Sequence, residues 1–309
     1  MERTGHVLVA FVPVLLLVLG GYLAQRSGRL DHALRAGLER IGYHVFLPAL
    51  LFGNVASSAA PSRVVLPLLV ITVSAIMAAT MVMLLWCRMQ AVPSSQVGPL
   101  VQASMRFNNF VGFSLLTPLF GIAGLAAGAL VATFAVITAN TISVSVLMVH
   151  AGKERPGLVR LGRELLRNPL IQASAAGLLC KGLGLQLWAP IAATLGMLGQ
   201  AGIVTGLIVV GAALAAAPSA LPPLQALLPT SLIKFALLPA LAWIACRWSG
   251  IDPTITAAVT MFFALPTAPA SYLLARQLGA DADLMAGLVV AQSVLALMTL
   301  PAVVFLVSP

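Results

Sequence analysis

Ser104-Met105-Arg106-Phe107-Asn108-Asn109-Phe110-Val111-Gly112 sets a cation and two amides in the middle of an otherwise apolar run from 97 to 120. A run of that length is enough to cross a bilayer as a helix, at about 20 residues per crossing. A second run, 254–275, is interrupted mid-span by Ala264-Leu265-Pro266-Thr267-Ala268-Pro269-Ala270-Ser271. Two prolines three residues apart remove two backbone donors and clash with preceding carbonyls, so this helix is expected to unwind. Backbone freed at membrane depth survives only against protein or a wet cavity, where it can hold a ligand. The paired interruptions therefore favour a bundle built around a site over a bundle that merely packs.

The rest of the chain has the composition such a bundle requires. Of 309 residues, 60% are hydrophobic and 8% charged, against roughly 25% charged in soluble domains. No water-soluble fold hides that much apolar surface, and one membrane domain spanning 1–309 is expected. The net charge of +9 does not point to nucleic acid, because the basic residues lie between apolar stretches without interleaved aromatics. Cys87, Cys180 and Cys246 have neither paired nor metal-like spacing. No metal or cofactor is expected; coupling to sodium or protons is left open.

Apolar runs bounded by charges, Pro and Gly give ten expected spans: 7–24, 41–59, 64–86, 97–120, 122–149, 169–184, 191–216, 225–246, 254–275 and 283–306. The first is followed by Gln25, Arg26 and Arg29, the wrong flank for a secretory signal, and is expected to be retained. Between the fifth and sixth spans, 151–168 carries Lys153, Arg155, Arg160, Arg163 and Arg167, which by the positive-inside bias makes it a cytoplasmic loop. Alternation then puts Arg26, Arg29, Arg35, Arg40, Arg88 and Arg276 inside as well, leaving only Arg3, Arg63, Lys181 and Arg247 outside. Eleven against four supports this orientation, with both termini outside the cytoplasm in a multi-pass protein of the cell (inner) membrane.

The two halves, 7–150 and 169–306, share punctuation at an offset of 156–158. Pro13, Gly21 and Gly28 match Pro169, Gly177 and Gly184; Gly53 matches Gly211, Trp86 matches Trp243, Pro61-Ser62 matches Pro218-Ser219, and Gly121 matches Gly279. A five-span unit is odd-numbered, so the second copy enters from the opposite side. Inverted repeats are frequent in secondary transporters, whose sites lie at discontinuous helices near the midplane.

All eight acidic residues fall at expected loops or termini, whereas Arg106 and Lys234 fall within spans. A buried cation costs several kcal/mol unless it faces water, a polar partner or an anion. Two of them without membrane carboxylates point to an anionic substrate, although each long side chain can also snorkel, and Arg106 can settle on carbonyls from the broken helices. The candidate substrate-binding set is Arg106, Asn108, Asn109, Pro266 and Thr267 at the interruptions, with Lys234, Asn140, Gln292 and Asn54 on neighbouring spans. An intramembrane enzyme is not expected, since there is no His-Glu-x-x-His, no membrane aspartate pair and no Ser with a mid-membrane His.

Phe46-Leu47-Pro48-Ala49-Leu50-Leu51-Phe52, Arg106-Phe107-Asn108-Asn109 with Gly112 and Leu119-Phe120-Gly121, and Leu265-Pro266-Thr267-Ala268 with Leu274-Ala275 resemble the auxin efflux carrier family over nearly the whole chain. The resemblance implies an all-α fold of ten transmembrane helices in two inverted five-helix repeats, of the type shared with bile-acid symporters, with helices four and nine broken and crossing. It implies a scaffold of helices one, two, six and seven that also forms a homodimer contact, and a mobile unit of three to five and eight to ten. Asn108 or Asn109 would match the crossover Asn and Pro266 the crossover proline. The short central loop and the Asn pair depart from the plant hormone carriers and look like a bacterial member. The expected function is secondary transport or uniport of a small carboxylate such as malonate or malate, by an elevator-like alternation. Sodium-coupled symport of another organic anion and an anion channel are the alternatives.

Overall fold

The computed structural model describes residues 2–58, 61–150, 162–163, 166–216 and 221–308; Lys153, Glu154, Arg155, Arg160, Glu164, Pro218 and Ser219 lie outside them, and with them most of the expected 151–168 loop. Among the described residues every regular element is helical. The order is α1 (Glu2–Arg26), α2 (His32–Ile41), a π-turn at Gly42–Phe46, α3 (Leu47–Ala56), α4 (Ser62–Met89), α5 (Ser94–Met105), α6 (Asn109–His150) and α7 (Pro169–Gly182). Then follow α8 (Ala189–Ala215), α9 (Leu224–Leu232), a π-turn at Ile233–Leu237, α10 (Leu238–Trp248), α11 (Pro253–Phe263), α12 (Ala270–Leu278) and α13 (Ala282–Val307).

Six stretches are long and apolar enough to cross a membrane: Val9–Arg26, Arg63–Met89, Ser94–His150, Ala189–Ala215, Leu224–Trp248 and Ala282–Val307. Large apolar side chains such as Leu16, Leu66, Trp248 and Met298 stand exposed on the perimeter, while Gln102, Asn108, Lys234, Thr267 and Gln292 are buried inside. That inverts the arrangement water imposes and suits an apolar solvent. The protein is a multi-pass membrane protein.

Two differences from the expected spans have simple causes. The second expected span, 41–59, is the end of a helical stretch that begins at His32. Arg35, Glu39 and Arg40 interrupt its apolarity without interrupting its geometry, and the Asp31 carboxylate starts it by accepting the Leu34 N–H at 2.7 Å. The expected span 254–275 is two helices, α11 and α12, separated by 264–269.

The 57 residues from Ser94 to His150 would make a straight helix about 85 Å long. They do not, because the chain leaves helical geometry at 106–108 and turns at Gly121, whose φ of +62° is the left-handed conformation that a side chain disfavours. Packing is organised by glycines. A Cβ on Gly21 would strike the Ile208 backbone and one on Gly211 the Val18 carbonyl, so α1 and α8 touch backbone to backbone. A Cβ on Gly177 of α7 would meet the Phe52 carbonyl of α3 at 3.2 Å. Elsewhere α4, α5, α6, α11 and α13 pack on one another, and α6 bridges these to α1, α3 and α8.

Candidate functional site

The two interruptions meet. Helix α5 stops at Met105, and a helix that stops leaves its last carbonyls without intrahelical donors. Two carbonyls at this end, those of Ala103 and Arg106, find donors from elsewhere in the sequence. Arg106 N–H returns to the Gln102 carbonyl at 2.9 Å. The Thr267 hydroxyl, 2.6 Å from Gln292 Oε1 and 2.9 Å from the Ala103 carbonyl, donates its one proton between these acceptors. Gln292 Nε2 donates to the same Ala103 carbonyl at 3.2 Å. The Lys234 ammonium donates to the Arg106 carbonyl at 2.6 Å.

The other break is closed from the first. Prolines 266 and 269 supply no N–H, and the Pro266 carbonyl accepts the Asn108 N–H at 2.8 Å. Asn108, buried to 1% exposure, then begins α6: its Oδ1 faces the Val111 N–H at 3.4 Å, and its carbonyl accepts from Gly112 at 3.0 Å. Phe107 fills the space between, edge-on to Phe263 and tilted against Phe262, with centroids 5.3 and 5.8 Å away. Lys234, 0% exposed, lies 4.4 Å from the Phe107 centroid on the ring face. A charge there is favoured by a carbonyl, a ring quadrupole and the negative end of α5, and opposed by complete burial and by the Arg106 guanidinium.

Arg106 is the half-buried cation of the break. Its Nη1 donates to Gln102 Oε1 and its Nη2 to Asn140 Oδ1, each at 2.9 Å. Both partners are neutral amides, so the guanidinium keeps its full charge. The described carboxylates are elsewhere. Asp31, Asp252 and Asp281 cap α2, α11 and α13, and Glu39 pairs with Arg35 at 3.6 Å. The buried Gln102 Nε2, on the amide that Arg106 bonds, and Asn108 Nδ2, two residues on, have no partner, and neither has Ser271 Oγ at the start of α12. Buried polar atoms are rarely left so without a reason.

Of the nine candidates, Arg106, Asn108, Pro266, Thr267, Lys234, Asn140 and Gln292 share this hydrogen-bonded cluster, and Asn109 is half-buried beside it. Asn54 is not part of the cluster. It lines a separate cavity of about 740 Å³ bounded by α1, α3, α6 and α8, together with Ser57, Ser114, Thr117 and Gln200, and its Nδ2 is unpartnered. Lys234 reaches backbone rather than open space. Gln102 was missed by sequence reasoning, although its place one helical turn before Arg106 was the signal that could have found it. Tyr43, beside Asn168 and within electrostatic range of Arg106, gave no signal.

Thr267→Val keeps the shape of the side chain and removes the hydroxyl. It leaves Gln292 Oε1 without its donor, a loss of about 1–3 kcal/mol, and is expected to lower the melting temperature of the purified protein by several degrees in a thermal-shift measurement. An unchanged melting temperature would mean that this knot does not hold the break.

The sequence model of the family described as membrane transport protein matches residues 6–304, nearly the whole chain. No curated protein matches it.

Proposed function

The chain belongs to the auxin efflux carrier family of membrane transport proteins, a transporter family and not an enzyme family, and from that premise we propose that it carries a small organic anion by alternating access. The observation that carries this reading is Arg106: a cation at the meeting of two broken helices, its side chain bonded only to neutral amides, with the unpartnered Gln102 Nε2 on one of those amides and Asn108 Nδ2 two residues on. Such a place lowers the energy of a carboxylate and offers nothing to a cation. Asn108 and Gln102 would donate to the anion, with Asn109 and the positive N-terminal end of α6 behind them. Lys234, Thr267, Gln292 and Asn140 would hold this geometry, and Asn54 would meet the substrate in the cavity. Carboxylates of the malonate or malate type fit the charge.

Several features support the ten-span inverted repeat behind this mechanism. Counting the interrupted helices as single crossings, and the Ser94–His150 stretch as two joined at Gly121, yields ten. An inverted repeat exchanges span one with six and two with seven. The matched glycines Gly21 and Gly177 indeed back onto α8 and α3 respectively, contacts that such an exchange interconverts. The glycine-packed spans one, two, six and seven would be the scaffold and homodimer contact, and the remaining spans the moving unit. Charge distribution favours the cell membrane with both termini outside.

Uniport driven by the membrane potential is favoured over sodium coupling. Three carbonyls at the break already accept donors, which leaves sodium fewer ligands there: Ala103 from Gln292 and Thr267, Arg106 from Lys234, Pro266 from Asn108. The test is uptake of labelled malonate and malate by proteoliposomes. An inside-positive potential should accelerate uptake, while sodium and pH gradients should leave it unchanged. Uptake no greater than in empty liposomes for any carboxylate would refute the anion reading. Sodium dependence would replace uniport by symport, and ohmic single-channel currents would replace the carrier by a channel.

A further inference from the structure

The cavity is a one-sided cleft, and all four of its walls agree on which end is shut. Along α6 it is lined by Phe113, Ser114, Thr117 and Pro118, and one turn before them Phe110 points the same way, since residues three and four apart share a helix face. Along α8 the lining runs from Ala192 through Gly196, Gln200 and Ile203 to Leu207. Beside the last of these, the Phe110 ring lies so close over Gly206 that a Cβ there would overlap its atoms, and the same ring is 3.6 Å from where a Cβ on Gly42 would stand. Along α1 the lining ends at Leu17, immediately before the backbone contact of Val18 and Gly21 with α8. On the remaining wall it runs from Ser57 to Ala49, above the π-turn that begins at Gly42. A π-turn inside a helix often marks a working part.

The shut end is more than apolar. Tyr43, next to Gly42 in that π-turn, lies beside the side chain of Asn168 and within electrostatic range of Arg106. Asn168 is itself fixed, capping α7 through the Leu170 N–H at 2.9 Å. Helix α6 therefore touches α8 and the π-turn at Phe110 and leaves them at Ser114 and Thr117.

We infer that Phe110, seated in the notch formed by Gly42 and Gly206, is the inner gate of this transporter: it closes one side of the substrate path while the cleft gives access from the other. This rests on the alternating-access reading above. With the basic residues Arg26 and Arg29 beyond the shut end of α1, that end is the cytoplasmic one. For substrate to leave on that side, the ring must come out of the notch. Gly206 is then a residue whose substitution acts on the conformational equilibrium without touching substrate, a positioning role.

The experiment uses full-length protein with Cys87, Cys180 and Cys246 replaced by serine and Thr117→Cys added as a reporter in the exposed part of the cleft. Labelling by a membrane-impermeant maleimide from the cleft side is the readout. Gly206→Ala excludes the ring from its seat and should slow labelling about tenfold by shifting the population away from the cleft-open state. Phe110→Ala should have a smaller effect. Combining them removes the clash, so Phe110→Ala with Gly206→Ala should label like Phe110→Ala alone, which a misfolded protein would not do. Parent-like labelling of Gly206→Ala, or a combination as slow as Gly206→Ala alone, would overturn the gate. Failure of alternating access itself reads differently: reporter labelling in the parent would then be unmoved by saturating malonate and by an imposed potential.

Discussion

Arg106→Ala is expected to lower the initial rate of carboxylate uptake by at least about 100-fold in proteoliposomes of matched protein content. The size follows from what is removed. A hydrogen bond to a charged group contributes about 1.5–3 kcal/mol, a factor of roughly 10 to 150, and the guanidinium can offer an anion more than one. In addition the substrate loses the fixed positive charge that offsets its own desolvation at membrane depth. The substitution itself is tolerable for the fold. It releases Gln102 Oε1 and Asn140 Oδ1 from 2.9 Å bonds, but it also removes a half-buried charge, and these oppose each other. Arg106→Lys should recover part of the rate, because an ammonium can reach one of the two amides but not hold both in the planar fork of a guanidinium. Equal rates for Arg106→Ala and wild type would remove Arg106 from the mechanism. A collapse in melting temperature would make its role structural.

The breaks were legible in the sequence because each contradicts its surroundings. A cation beside two amides, or two prolines, inside an apolar run cannot continue an ordinary helix, and the structure interrupts both runs there, at 106–108 and 264–269. The apolar runs themselves locate the helices well where polarity and helicity end together. At Arg35, Glu39 and Arg40 they do not, so the helical stretch is longer than its apolar part. What the sequence hid depends on register between distant segments. That Gln292 and Thr267 meet at Ala103, or that Phe110 lies on Gly206, requires knowing how separate helices slide against each other, which side-chain spacing within one helix does not encode. Asn54 was placed with the others on polarity alone, and its helix carries it to the cleft instead.

Lys234 is the residue whose expected role changed most, and it supplies the second large prediction. Lys234→Met should leave the melting temperature within about 5 °C of wild type and yet reduce uptake at least about tenfold. Burying an ammonium costs several kcal/mol even after relaxation. Against this stand its bond to the Arg106 carbonyl, about 1.5–3 kcal/mol for a charge-assisted contact, the Phe107 ring face, about 2 kcal/mol when desolvated, and the C-terminal end of α5, up to about 2 kcal/mol. These nearly cancel, and methionine fills similar space without a charge, so what remains is the loss of about 1–3 kcal/mol from the Arg106 carbonyl left without its donor, a few degrees at most. Geometry does not cancel. With the ammonium gone, the Arg106 carbonyl is buried without a donor, and the peptide that fixes both Arg106 and Phe107 is free to rotate toward another one. The guanidinium would still be present but no longer aimed. Loss of transport with stability retained is the signature expected of a residue that holds the break in place. If melting falls steeply instead, the ammonium is a net stabiliser and the cancellation argued here is wrong; if uptake persists, the break keeps its shape without it.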